Sequence, residues 1–380
     1  MDARRGLLAI VASLAILLIA AMALRPISAE ARPLPGAPNC PILPASSPWN
    51  QRVDRLPVAA GSAAIMRATG ISRLHADFSD SDADGYGIPF NVVGADTPRS
   101  TVRFEYGDES DHGGYPIPAA PRIEGGSDRH LLMLDRDACV LHELFAAERR
   151  GSAWHAGSGA RWDLRSLALR PDGWTSADAA GLPILPGLAR HDEVAGGGID
   201  HALRITLPVT QRAYLWPARH FASDVRSAAT APMGLRLRVR AGYDTRRFGP
   251  QARAILEAGR RYGFIVADTG SAGFVSGAPA PGWDDDDLHD LHDVPASALE
   301  VVDASTLPGT PAARRAWNLR WSRVGSRMRA TAFVTRAGRV TLTARRAGRT
   351  VASRTVFVRQ GLLRADLPYV ATARYRLQLR

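Results

Sequence analysis

The feature that most constrains this chain is its density of turns. From Trp49 to Val302, short runs that alternate apolar and polar residues are separated by Gly, Pro and Asp. A strand sends successive side chains to opposite faces, so runs of this kind specify strands rather than helices. With 35 glycines and 26 prolines as punctuation, long helices have little room. The clearest pattern is RHLLMLDRDACVLHELF (129–145), two apolar runs around Asp135-Arg136-Asp137, which predicts a hairpin. STVRFEY (100–106), DHALRITLPV (200–209), LRLRVRAGY (235–243) and YGFIVAD (262–268) predict further strands. Two helices are expected, over 249–263 and 283–294. The expected body, 49–303, is a β-sandwich of jelly-roll or concanavalin-like form with two short helices.

Residues 304–314 read as a linker, and 315–380 as about five strands forming a small immunoglobulin-like sandwich. Charge divides at the same place. From 311 to 380 there are seventeen arginines against one acid, Asp366, whereas 32–310 holds 28 arginines against 34 acids. The chain contains no lysine. A basic module on an acidic body suits anionic envelope polymers or lipid headgroups, or else is a solvated arginine face. Nucleic acid is not an expected partner, because the N-terminus points to export.

There Arg4 and Arg5 precede the uncharged run LLAIVASLAILLIAAMAL (7–24) and an Ala29-Glu30-Ala31 cleavage pattern. Residues 1–31 are thus a signal peptide or a retained membrane anchor; both readings deliver a secreted or extracytoplasmic body. The only membrane contact expected is through this segment, and the body is expected to be monomeric. Pro-rich residues 32–48 read as an extended entry segment. The only cysteines are Cys40 and Cys139. Export favours a disulfide between them over two buried thiols.

DEVAGGGIDHALRITLPV (192–209) is the richest stretch in polar chemistry. Its glycine triplet lacks the third glycine of a dinucleotide loop and leads into a strand, not a helix. It is read as a loop displaying Asp192 and Glu193, followed by Asp200 and a strand that brings His201 inward. Two carboxylates and an imidazole can serve as acid and base; a solvated turn and a core histidine are the bland alternative. VADTGS (266–271) has the aspartic-protease signature, but that chemistry needs two such carboxylates and no second D-T-G occurs. Asp268 remains a strand-end candidate for substrate binding. Asp80, Asp82 and Asp84 open a calcium-like loop that lacks the bidentate Glu at position twelve, where Asn91 stands. Ca2+ is the candidate cofactor, with none required; a polar turn is the alternative. Asp284–Asp287 suit a helix N-terminus. H-E-x-x-H, G-x-S-x-G and P-loop motifs are absent. Trp154, Trp162, Trp174, Trp216 and Trp283 lie at polar turns, where Trp216 could stack on a sugar and His155, Asp163 and His220 could bond its hydroxyls.

The series YGIPFNVV (86–93), YGDESD (106–111), YPIP (115–118), IEGGSDRHLLMLDRDACVLHELF (123–145), the long stretch 154–194, IDHALRITLP (199–208), MGLRLRVRA (233–241) and WDDDDL (283–288) resembles a family of exported bacterial proteins. That family is largely uncharacterised and its members are sometimes joined to carbohydrate-associated modules. The resemblance covers about 49–303 and stops short of the basic module. Those relatives read Asn at the position of Asp268 and have a shorter loop at 79–84. What it implies is a link to glycans, without an assigned catalytic residue. The leading expectation is a polysaccharide hydrolase using paired carboxylates, one of Asp192, Glu193 and Asp200 being the acid or nucleophile. A non-catalytic glycan-binding or envelope-structural protein is the runner-up, and the expected partner is a polysaccharide or cell-envelope glycan in either case.

Overall fold

The computed structural model describes residues 31–81 and 85–379. The expected signal or anchor segment, up to residue 30, and Asp82 and Asp84 of the calcium-like loop lie outside the described residues. The chain is mainly β, as expected, with short helices: α1 (Ser62–Ala68), α2 (His191–Ala195), α3 (Pro250–Arg261) and α4 (Asp285–His289). The two expected helices are α3 and α4, the latter continuing as a 3-10 turn over Asp290–Asp293.

Three sheets build the body. The largest orders its strands as His75–Asp77, Phe274–Ser276, Leu203–Leu207, Phe264–Thr269, Arg236–Val239 and Leu299–Val301. A second sheet runs Phe90–Val93, Leu131–Asp135, Val140–Phe145, Ser158–Asp163, and contains the expected hairpin. A third runs Gly114–Pro116, Arg99–Phe104, Ala153–Ala156, Glu148–Arg150. The second sheet is covered on both sides. Leu132, Leu134 and Leu141 join the main core, while Leu131, Met133 and Leu144 pack with Val102, Tyr115 and Trp154 of the third sheet. That double burial is why LLML is a continuous apolar run and not an alternating one. Four strand pairs in the body are parallel: His75–Asp77 with Phe274–Ser276, Leu203–Leu207 with Phe264–Thr269, Phe90–Val93 with Leu131–Asp135, and Arg99–Phe104 with Ala153–Ala156. Jelly rolls are antiparallel, so the body departs from that topology in these pairs.

The Pro-rich segment differs from expectation. It is no exposed tether: Leu34, Ala37, Cys40, Ile42 and Leu43 are all buried in the main core. Apolar residues between the prolines carry it inward, and Cys40 is bonded to Cys139 with Cα atoms 5.2 Å apart.

Residues 316–379 form two three-stranded antiparallel sheets, Ala316–Val324/Arg327–Val334/Gly361–Pro368 and Arg349–Val358/Gly338–Arg346/Arg374–Leu379. Ala330, Ala332, Val334, Val340, Leu342 and Leu363 fill the space between them, and the alternate positions turn arginines outward. The expected linker is seated as well. Ser305 and Leu307 are buried, and Gln360 donates to Thr335 O (3.0 Å) while accepting from Ala304 N (3.1 Å). Leu362 N donates to Ala60 O at 2.7 Å, stitching the module to the body.

Candidate functional site

The central strand Leu203–Leu207 is buried at every position, although it contains Arg204. A guanidinium inside a sheet must be fully paired, because an isolated buried charge costs several kcal/mol. Arg204 meets Asp178 through both carboxylate oxygens (3.0 and 3.1 Å), Asp268 Oδ2 (2.8 Å) and Ser276 Oγ (2.7 Å). Burial pulls its pKa down, but Asp178 and Asp268 more than offset this and hold it above the ordinary value. Asp178 comes from the loop TSADAAG, whose Ser176 Oγ accepts from Asp178 N at 2.9 Å. Burial raises the Asp178 carboxyl to about 6 even beside the guanidinium.

A second buried pair sits close by. His130 Nδ1 is bonded to Glu124, and His130 Nε2 lies 3.1 Å from the Ala177 carbonyl, which can only accept. Burial lowers His130, but Glu124 outweighs that and raises it; partial burial pushes Glu124 up, but His130 outweighs that and lowers it. An imidazolium facing a carboxylate satisfies both directions. Asp77, raised by burial, feels the fields of Arg204, Glu124 and Asp128. Five carboxylates (Asp77, Glu124, Asp128, Asp178, Asp268) thus share the field of two cations. Burial raises three of them, Asp77, Asp178 and Asp268, so these hold a proton to higher pH than isolated carboxylates would.

Two members of this cluster, Asp128 and Asp268, line an open cavity of about 470 Å3, together with Tyr106, Glu109, Phe145 and His220. Asp268 stands at the end of the strand Phe264–Thr269, just past a register shift that leaves Ala267 unpaired and sets Asp268 opposite Thr206. A bulge of this kind re-aims the side chains beyond it. Asp268 is raised first by burial, against the opposing fields of Arg204 and His130. Asp128 is exposed and close enough to raise Asp268 further. His220 Nδ1 lies 2.9 Å from the Ala179 carbonyl, so this nitrogen donates and Nε2 is left as the other polar face. Glu109 Oε2 accepts from Thr175 N at 2.9 Å.

Of the expected residues, Asp268 and His220 therefore share one cavity. The 192–201 constellation is differently placed. Asp192 and Glu193 do not sit in a loop; they form the first turn of α2. Glu193 and His201 do meet, at 3.0 Å, but both are about 1–2% exposed, and Arg190 closes the far side of Glu193 at 2.9 Å. His201 Nδ1 lies 2.8 Å from the Ala202 carbonyl, so each nitrogen has a partner. Their pairing consumes the groups that were expected to work as acid and base. Asp192 is partly exposed beside Arg190 (3.3 Å), and burial raises its pKa. Asp200 accepts from the Tyr262 hydroxyl at 3.3 Å. The glycine triplet ends α2, with Gly197 and Gly198 at positive φ.

Trp216 lines another cavity, at the junction with the basic module. Trp154, Trp162 and Trp283 are core residues and present no sugar platform. His155 lies within the third sheet opposite Arg103 and Glu148. Asp163 is exposed and accepts from Arg165 N (2.9 Å). Asp80 N donates to Asp285 Oδ1 at 3.2 Å. Among the described residues, no group of three or more His, Cys, Asp or Glu is arranged to hold a metal. Arg204, Asp178, His130, Asp128 and Glu109 are the site residues that sequence reasoning passed over. An arginine inside an otherwise apolar strand was the available signal, since it requires buried acids nearby. The chain matches no family model, no curated protein and no solved structure.

Proposed function

We propose that this chain is an extracytoplasmic glycan-active protein, a polysaccharide hydrolase working in the cavity of Asp128 and Asp268. One observation carries the reading: two carboxylates of opposite character line the same open cavity. Asp268 is half-buried at the cavity wall and raised, which suits a proton donor to the glycosidic oxygen. Asp128 is exposed and suits the base or nucleophile on the other side of the scissile bond. His220 and Glu109 offer polar contacts to hydroxyls, and Tyr106 and Phe145 supply flat apolar surface. The apolar N-terminal segment and the resemblance to exported, glycan-associated proteins support the location and substrate class.

The test is release of reducing ends from a polysaccharide panel. Asp128→Asn and Asp268→Asn should each lower turnover by about 10²–10⁴-fold, with a thermal melt confirming that each variant folds. Undiminished rates in Asp128→Asn overturn the assignment. The second reading, glycan binding without hydrolysis, draws on the 2.8 Å ion pair of Asp268 with Arg204, which favours an ionised carboxylate. Binding without product from the unmodified protein would select it.

A further inference from the structure

Resting on that reading, we propose that the cavity at the body–module junction is a second saccharide subsite, and that the polymer it takes is acidic, bearing carboxylates. The junction cavity is smaller, about 110 Å3, and its lining includes Tyr214, Trp216, Trp317, Arg219, Arg315 and Asp172. Both domains build it: Trp317 and Arg315 come from the module, the others from the body.

Its aromatic walls are fixed. Trp216 packs against Gly309, where an added Cβ would lie 3.0 Å from the indole. Tyr214 leans on Trp317 with ring centres 5.7 Å apart and on Phe221 at 6.3 Å. Rings held in this way offer flat surface to a sugar face at little cost in side-chain entropy. Asp172 is the one acid in the lining, 3.3 Å from Arg219 and 3.8 Å from Arg315. Two guanidiniums against one carboxylate leave a net positive site. Arg315 is about half exposed and can turn to a ligand carboxylate, which a guanidinium grips in bidentate fashion.

The junction cavity and the catalytic cavity lie back to back. Arg219 lines the first and His220, the next residue, lines the second. Asp172 lines the first and Thr175 the second. These two segments are bonded to each other, Gly173 N to Arg219 O at 2.8 Å, so together they make a ridge between the sites. Gly181, at φ +68°, lets the loop approach: a Cβ there would fall 3.1 Å from that of Arg219 and 2.4 Å from the Trp174 carbonyl. Neighbouring residues of one short segment thus face different cavities, and a polymer lying over this ridge would reach both. Beyond the junction the module offers seventeen arginines and one acid from residue 311 onward. Rows such as Arg320–Thr331–Arg364 cross its outer surface. That field favours a polyanion over a neutral chain.

The test uses residues 32–380 and three soluble acidic polymers, polygalacturonate, alginate and hyaluronate. Neutral xylan and phosphatidylglycerol vesicles are the comparison. At least one acidic polymer should bind in a salt-sensitive way. Trp216→Ala and Arg315→Ala should each weaken it by at least about tenfold, whereas Arg246→Ala, at an exposed position that lines neither cavity, should bind it undiminished. The inference is overturned if no acidic polymer binds, if only xylan or only vesicles bind, or if both junction variants bind as the parent does. Cleavage of xylan alone overturns this inference and leaves the hydrolase reading standing. Junction-dependent binding of an acidic polymer that the parent never cleaves does the reverse.

Discussion

Adjacent residues in one strand carry opposite protonation debts. His142 is buried and lowered to about 4, chiefly by burial and then by Arg161 and Arg99. Glu143, its neighbour, is fully buried and raised to about 7, although Ile184 N, Leu185 N and Trp162 Nε1 all donate to it. The lowered histidine makes the unfolded chain the better proton binder below its ordinary 6.5, so its contribution to stability falls as pH drops. The raised glutamate makes the folded chain the better proton binder above its ordinary 4.5, so its contribution falls as pH rises. Between about pH 4.5 and 6.5 the two slopes oppose each other. Replacing the histidine, as His142→Asn, removes one side. Relative to the parent, urea unfolding of this variant should show stability tilting upward as pH falls from 6.5 to 4.5. An unchanged slope would mean that His142 does not fold in its neutral form. Neither shift is legible in DACVLHELF, because each depends on residues far along the chain.

At the scale of elements, the sequence reveals what depends on near neighbours. The hairpin at 129–145, α3, and the acidic start of α4 follow from local patterns. Asp284 indeed caps α4, accepting from Asp286 N and Asp287 N. A less local device is built on the same run: Asp287 reaches across to α3 and accepts from Gln251 N (2.8 Å) and Ala252 N (3.2 Å). Asp287→Ala should therefore cost about 0.5–2 kcal/mol by loss of a helix cap. Asp286→Ala, at an exposed position of the same run, should cost less than about 0.5 kcal/mol; equal losses in chemical denaturation would refute the assignment. The candidate site was only half legible for the same reason. Asp268 stands out as a polar residue at a strand's end and His220 as one beside the YLWPARHF turn, whereas Asp178 and His130 gain their meaning from Arg204, which lies 26 and 74 residues away. The opposite error occurred at 192–201, where proximity in sequence made Asp192, Glu193 and His201 look like a working constellation. In the fold, Arg190 and His201 close around Glu193 and leave it no room for substrate.

For the whole molecule, the Cys40–Cys139 bond joins residues 99 positions apart. In the chain-entropy account its removal should cost about 4–5 kcal/mol; a Cys40→Ser/Cys139→Ser chain unfolding at the parent's denaturant midpoint would contradict that. The bond also decides how the protein bears a load. Tension entering at residue 31 and leaving through the C-terminal module travels nine residues to Cys40, crosses to Cys139 and continues from there. Everything between the two sulfurs, including the strands Phe90–Val93 and Arg99–Phe104, is mechanically shunted. Stretching the oxidised molecule to full extension should fall short of the reduced one by roughly 330–350 Å, the reach of 99 residues at about 3.3–3.6 Å each.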